Sequence, residues 1–321
     1  MIDANGLTKR FGTLLAADRI SLHVHKGEVL GFLGPNGAGK TTTMRMIAGF
    51  LEPTAGSVAI CGHDIVQDPL AARRCLGYLP EGAPLYGDMS VRSFLDFIAD
   101  VRGYRGSEKQ RKLDRVVDMV SLGEVYPRPI ETLSKGFKRR VGLAQAMLHE
   151  PEVLILDEPT DGLDPNQKLH VRQLIRTLAR ESAIIVSTHI LEEVDAVCTR
   201  AVIINRGRVV ADGTADQLLA RLPEHNTLVV SVNANEAAAA RSVLQRFAAE
   251  DLSESLAADG RHDLRLACTG GSVPLAPITQ ALQEAGVAAR SIVVDRGRLD
   301  EVFRLLTTDA DAADARGTRH G

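Results

Sequence analysis

Short runs of apolar, β-branched residues alternate with longer segments of helical spacing along the first 220 or so positions. Runs at 27–33, 153–156 and 183–187 are bounded by glycine, proline or charge and read as strands. Helical periodicity follows at 41–48, 138–149, 168–181 and 191–197. Strand followed by helix, repeated, predicts a mostly parallel sheet covered by helices, an α/β core. Between Tyr78 and Leu133 the strands drop out. Segments 90–102 and 108–122 read as amphipathic helices, so a helical subdomain at about 82–140 is expected to interrupt the core.

Leu222, Pro223 and Glu224 mark a boundary, after which the pattern restarts. Strands are expected at 227–233, 262–267 and 288–295, and helices at 236–247, 276–285 and 299–307. This predicts a small two-layer α+β domain of the ferredoxin-like kind. The expected division is a first domain at 1–222, a second at 223–308, and a tail at 309–321. That tail is mostly Asp, Ala, Gly and Arg, has too little apolar content to pack, and is expected to be disordered.

Composition narrows the function classes. The 321 residues are 45% hydrophobic and 25% charged, the balance of a folded globular protein. Lys plus Arg is 38 against 41 Asp plus Glu, a formal charge of −3, so no global field draws the chain onto nucleic acid or an anionic membrane. No run approaches the 18 or so apolar residues of a spanning helix, and Met1–Arg10 carries no apolar signal segment. A soluble, cytosolic chain is the expectation. Cys61, Cys75, Cys198 and Cys268 are scattered without a C-x-x-C pair and read as reduced thiols, neither a disulfide framework nor a zinc site. With no Trp and only 4% aromatics, stacking platforms for single-stranded nucleic acid are not expected.

Chemistry enters at Gly34-Pro35-Asn36-Gly37-Ala38-Gly39-Lys40-Thr41, a full match to G-x-x-x-x-G-K-[ST] between an expected strand and an expected helix. Glycines let successive backbone N–H groups turn toward one anion, and the helix dipole adds to that field. Lys40 is placed to reach the β- and γ-phosphates, and the Thr41 hydroxyl to hold Mg²⁺. A second element, Val153-Leu154-Ile155-Leu156-Asp157-Glu158, puts two carboxylates at the C-terminal end of a buried strand, where ligands bind in open α/β sheets. Asp157 suits Mg²⁺, and Glu158 suits a general base that polarises water.

Further motifs stand in a family-like order. Leu133-Ser134-Lys135-Gly136-Phe137 resembles the ABC signature, departing from L-S-G-G-Q at Lys135 and Phe137. Asp161-Gly162-Leu163-Asp164 resembles the D-loop, and His189 after 184–188 resembles the switch histidine. Over about residues 1–220 the chain is similar to the nucleotide-binding subunit of ABC transporters. Tyr78-Leu79-Pro80-Glu81, which puts Glu81 where the family has a glutamine, together with Pro84-Leu85-Tyr86 and L-S-K-G, resembles the type-2 exporter branch that includes gliding-motility and multidrug types.

The resemblance implies a P-loop NTPase fold: an ABC cassette whose RecA-like core carries the helical subdomain, followed here by the α+β domain. It implies ATP held by Phe11, by Gly34 through Thr41, by Thr42, and by Ser134 and Gly136 acting on the nucleotide of an opposite subunit. It implies Lys40, Glu158 and His189 in catalysis, and Mg²⁺ held by Thr41 and Asp157; at the departing position, the Glu81 carboxylate itself suggests a residue that tunes Mg²⁺ coordination or the coupling step. One loop and one signature per chain imply a homodimer or a paired ATPase subunit. A separately encoded integral membrane permease is implied as the partner, with the ATPase peripheral on the cytoplasmic face and export as the direction of transport in that branch.

Other readings stay open at this level. Phe11 suits a core as well as an adenine face. Glu81 can equally point to solvent. The basic run Lys135, Lys138, Arg139, Arg140 reads as a helix start facing phosphate or solvent, with nucleic acid the weaker reading. A soluble ABC-type ATPase acting on ribosomes or DNA is the main alternative, although ribosome-acting relatives carry two cassettes per chain.

Overall fold

The computed structural model describes residues 1–82, 84–222, 225–248, 252–257, 260–267 and 273–307. Pro223, Glu224, Cys268 and the expected tail at 309–321 lie outside the described residues. The described residues form two compact units, Met1–Ala215 with Leu306 and Thr307, and Asp216–Leu305.

In the first unit β1 (Ile2–Phe11) and β2 (Leu14–Val24) form an antiparallel hairpin. β3 (Val29–Leu33) feeds the glycine-rich loop and α1 (Lys40–Ile47). β4 (Ala55–Ile60), β5 (His63–Asp64), α2 (Pro69–Arg74) and β6 (Leu76–Leu79) follow. The helical insert comprises α3 (Val91–Val101) and α4 (Gly106–Met119), and leads to α5 (Lys135–Met147). The core resumes with β7 (Val153–Asp157), α6 (Pro165–Ala179), β8 (Ala183–Ser187), α7 (Leu191–Val197), β9 (Arg200–Asn205) and β10 (Arg208–Gly213).

The central sheet runs β10-β9-β3-β8-β7-β6, parallel except for the edge strand β10. β3, β7 and β8 are buried at every position, because both faces of the sheet are covered. Val153 and Ile155 face one core with Met44 and Ile47 of α1 and Ile2 and Leu22 of the hairpin. Leu154 and Leu156 face the other, with Leu143, Met147, Val171 and Ile175. Each such side chain contributes about 1.5–3 kcal/mol on burial, which fixes the carboxylate end of β7 to a rigid base.

A second sheet, β2-β1-β4-β5, is antiparallel and lies outside the strand-then-helix expectation. Register shifts after Ala4, Leu7 and Lys9 break its period of two, so no long alternation marks it in the sequence. Two helices begin earlier than their apolar periodicity predicts. Ser134 Oγ accepts from Phe137 N at 3.3 Å and Asp164 Oδ1 from Gln167 N at 2.9 Å, so caps rather than apolar residues set the starts of α5 and α6.

The second unit opens with α8 (Ala215–Leu219), whose first residue closes the unit before it. β11 (Thr227–Val232), α9 (Ala237–Leu244), β12 (Ser253–Leu256), β13 (His262–Ala267), α10 (Leu275–Glu284) and β14 (Ser291–Asp295) follow. Helix continues at 299–307. The antiparallel order β12-β13-β11-β14 with βαββαβ connectivity is the ferredoxin-like arrangement. Leu228, Val230 and Val232 place one face of β11 on a core with Ala240, Leu244, Ile278 and Leu282. β12 is not foreseen by the sequence pattern because all four of its residues are exposed.

Candidate active site

The loop between β3 and α1 is held by contacts that tolerate only glycine at key points. Gly39 adopts φ 100, and a Cβ there would lie 2.3 Å from the Ala16 carbonyl oxygen. The helix begins at once, with Thr43 Oγ1 donating to Gly39 O at 2.9 Å. Lys40 is buried, and its Nζ donates to Gly34 O at 2.7 Å and Pro35 O at 3.1 Å. Burial pulls its ammonium below the usual lysine range, while the carboxylates of Glu158, Asp157 and Glu81 oppose that shift.

Asp157 ends β7 fully buried, and its Oδ1 accepts from Ser187 Oγ at 2.6 Å. Its Oδ2 is buried with no hydrogen-bond partner. Glu158 follows in the left-handed region at φ 51, a conformation that costs a residue with a Cβ roughly 1 kcal/mol. Its side chain is 14% exposed, and Oε1 lies 2.9 Å from His189 Nδ1. Burial raises the Glu158 carboxyl above its ordinary value, and the His189 hydrogen bond opposes this. A carboxyl whose affinity for a proton is raised by burial at a cleft wall is matched to proton abstraction.

Two residues hold this constellation, Arg139, which the sequence places only in a basic run, and Glu193, which the sequence patterns do not mark. Arg139 on α5 is buried; it donates to Pro80 O at 2.9 Å and to the carbonyls of Asp157 and Glu158. Its guanidinium therefore faces neither phosphate nor solvent, which corrects the reading of the basic run. Lys135 pairs with Asp161 at 2.7 Å, Lys138 donates to Glu131 O, and Arg140 to Ser121 O. Glu193 is buried on α7 and accepts from Thr160 Oγ1 and, at 2.9 Å, from Thr188 Oγ1. It ties the turn after Glu158 to the turn carrying His189. Arg139 is 18 residues from Asp157 and Glu193 is 33 residues from Thr160, so no local signal marks these ties, although Glu193 is only 5 residues from Thr188.

A cleft of about 820 Å³ gathers Phe11, Asn36, Gly37, Gly39, Lys40, Thr41, Thr42, Glu81, Asp157, Glu158 and His189. Leu14, Leu15, Ala16, Asp161, Ser187, Arg206 and Gly207 complete its wall. Phe11 is 48% exposed at the mouth, with Lys9 Nζ 5.4 Å from its ring centre, so it is not a core residue. Glu81 is exposed and also borders a neighbouring groove lined by Lys135, Lys138 and Asp161. Gly34, Pro35 and Ala38 build the loop behind the wall. Ser134 and Gly136 are not among the residues lining this cleft. They head α5, where a Cβ on Gly136 would come 2.5 Å from Gln167 Oε1.

This arrangement has close parallels. Residues 17–161 match the ABC transporter family. Over 309 residues the chain is 35% identical to the daunorubicin resistance ATP-binding protein DrrA3 of Streptomyces coeruleorubidus, covering 96% of each. It is 34% identical over 239 residues to the linearmycin resistance ATP-binding protein LnrL of Bacillus subtilis (strain 168), covering 74% of this chain and 77% of that one. A solved ATP-binding subunit of an ABC transporter superposes with a TM-score of 0.65 at 30% identity, covering 69% of this chain and 92% of that chain. The chain belongs to the ABC transporter ATP-binding proteins. It is an ATP-binding and ATP-hydrolysing subunit, homologous to ATPases of multidrug and antibiotic-resistance exporters. Among the described residues no helix is long and apolar enough to cross a membrane.

Proposed function

We propose that the cleft hydrolyses ATP with Lys40, Glu158 and His189 as its catalytic groups, and that the chain works in pairs to drive a separate membrane permease, in export. The observation that carries this reading is the Glu158–His189 hydrogen bond beside Lys40 in one cleft. Lys40 and the N–H groups of the loop bind the phosphates. Glu158 takes the proton of a water that attacks the γ-phosphorus as the bond to the β-phosphate oxygen breaks. His189 orients that carboxylate and the water. Phe11 offers a ring face to adenine at the mouth, and Thr42 adds a hydroxyl at the helix start.

The unpartnered Asp157 Oδ2, with Thr41 in the same cleft, fits a hard cation that prefers oxygen ligands. Mg²⁺ would be held there by Thr41 and Asp157, with Glu81 tuning the site, and when bound it neutralises charge on the phosphate oxygens. Ser134 and Gly136 head a helix outside this chain's cleft. That supports a paired arrangement in which they meet the nucleotide of the other subunit, whether a second copy or a related ATPase.

Similarity to two resistance ATPases over most of their lengths supports the type-2 exporter branch and outward transport of drug-like molecules. In this reading the chain sits on the cytoplasmic face of the membrane, against its permease. Pull-down from detergent-solubilised membranes tests it. A co-purifying polytopic permease is expected; ribosomal RNA or DNA in its place would contradict the transporter reading.

A further inference from the structure

Three chain segments meet at the end of the central sheet opposite the nucleotide cleft. Cys61 follows β4, Cys75 caps α2 just before β6, and Glu152 precedes β7. β6 and β7 are parallel and β7 carries Asp157 at its far end, so this place is one strand length from the cleft. The two Sγ atoms and a Glu152 carboxylate oxygen all lie within 4.8 Å of one another. Around tetrahedral zinc, with Zn–S near 2.3 Å, neighbouring sulfurs stand roughly 3.7 Å apart. Small side-chain rotations therefore suffice to close the three groups on one ion.

The backbone at each position is already fixed. Cys61 N donates to Met1 O at 2.7 Å, Val153 N to Cys75 O at 2.9 Å, and Ala183 N to Glu152 O at 2.9 Å. Both cysteines are half-buried and Glu152 is exposed, so a cation can enter from the Glu152 side while the thiols stay sheltered. Two thiolates and a carboxylate select a thiophilic, borderline-soft ion over Mg²⁺ or Ca²⁺. The sequence hides this set because its members are far apart in the chain and form no C-x-x-C spacing.

We propose that Cys61, Cys75 and Glu152 bind one Zn²⁺ per chain, with water as the fourth ligand. Each thiol releases its proton to solvent as its sulfur ligates the metal. The ion clips the antiparallel sheet, through Cys61, to the start of β6 and β7 in the central sheet. It lies outside the catalytic cleft and is independent of ATP binding.

Co²⁺ titration of the full chain, purified without metal-affinity steps and kept reduced and free of nucleotide, tests this. The expected result is a thiolate-to-cobalt charge-transfer band that saturates at one equivalent and is displaced by Zn²⁺. Cys61→Ser and Cys75→Ser should abolish the band, Glu152→Gln should shift its midpoint to higher Co²⁺, and ATP turnover should stay unchanged in all three. In the unaltered chain, where folding is not at issue, Zn²⁺ should protect Cys61 and Cys75 from alkylation. A missing band, a band that survives Cys61→Ser, no protection by Zn²⁺, or a Cys61–Cys75 disulfide formed in place of metal binding would each overturn the proposal.

Discussion

His189 Nδ1 lies 2.9 Å from Glu158 Oε1, joining the turn after β8 to the carboxylate that ends the β7 segment. The contact works against burial, which holds the Glu158 carboxyl above its ordinary value. The proposed base must be ionised to act, so turnover should be lost as pH falls through that raised value. The acid limb of kcat/KM against pH should therefore lie above that of a free glutamate. His189→Ala removes the opposing hydrogen bond, so it should lower kcat and move the limb to still higher pH. A limb that stays in place would separate the two residues functionally.

Glu193 should act by position. Glu193→Ala leaves Thr160 and Thr188 without their shared acceptor inside the core, a loss of about 1–3 kcal/mol in stability. Because the two turns then move independently, kcat should fall further than KM rises. Steady-state kinetics and urea unfolding on the same variant check both parts.

Arg139→Ala should be more damaging to stability than removal of any neighbour in the basic run. It removes the buried donor shared by the carbonyls of Pro80, Asp157 and Glu158, of which Glu158 O keeps Asp161 N as a second donor, and a loss of about 2–4 kcal/mol is expected. Lys135→Ala breaks only an exposed pair with Asp161 and should cost under about 1 kcal/mol. Denaturant midpoints of the two variants give the comparison directly.

His149 predicts an acid weakness of the fold. Its Nε2 meets Leu76 O at 3.0 Å, and Nδ1 is buried without a partner. Burial, assisted by Arg102, pushes its pKa down to about 4 from 6.5. The folded state keeps the ring neutral, so its contribution is fully present above pH 6.5 and is lost as pH falls from 6.5 toward 4. The loss is about 2–4 kcal/mol over that window. Unfolding free energy measured across it should decline, and His149→Gln should flatten the decline.

What the sequence reveals depends on how local each feature is. The phosphate loop is legible because its eight residues are contiguous and its chemistry is backbone N–H groups plus one lysine. The carboxylates of β7 are legible because four apolar residues precede them. The ferredoxin-like unit is legible in outline from β11 and β13, whose inward residues alternate, but not from exposed β12. The roles of Arg139 and Glu193 are illegible because a buried charge looks like a surface charge until its distant partners, Asp157 for Arg139 and Thr160 for Glu193, are known. The antiparallel sheet is illegible for a different reason: bulges in β1 break the alternation that would announce it.

Glu158→Gln incubated with ATP and Mg²⁺ bears most directly on the central reading, that this cleft hydrolyses ATP by base catalysis between paired subunits. The variant keeps the side-chain shape but cannot accept the proton. Turnover should fall by about 10²–10⁴ while ATP stays bound, and the ATP-loaded protein should run as a pair, at twice the mass of the nucleotide-free chain or as a one-to-one complex with a related subunit. Turnover at the parent rate, or a variant that neither retains ATP nor pairs, would contradict it.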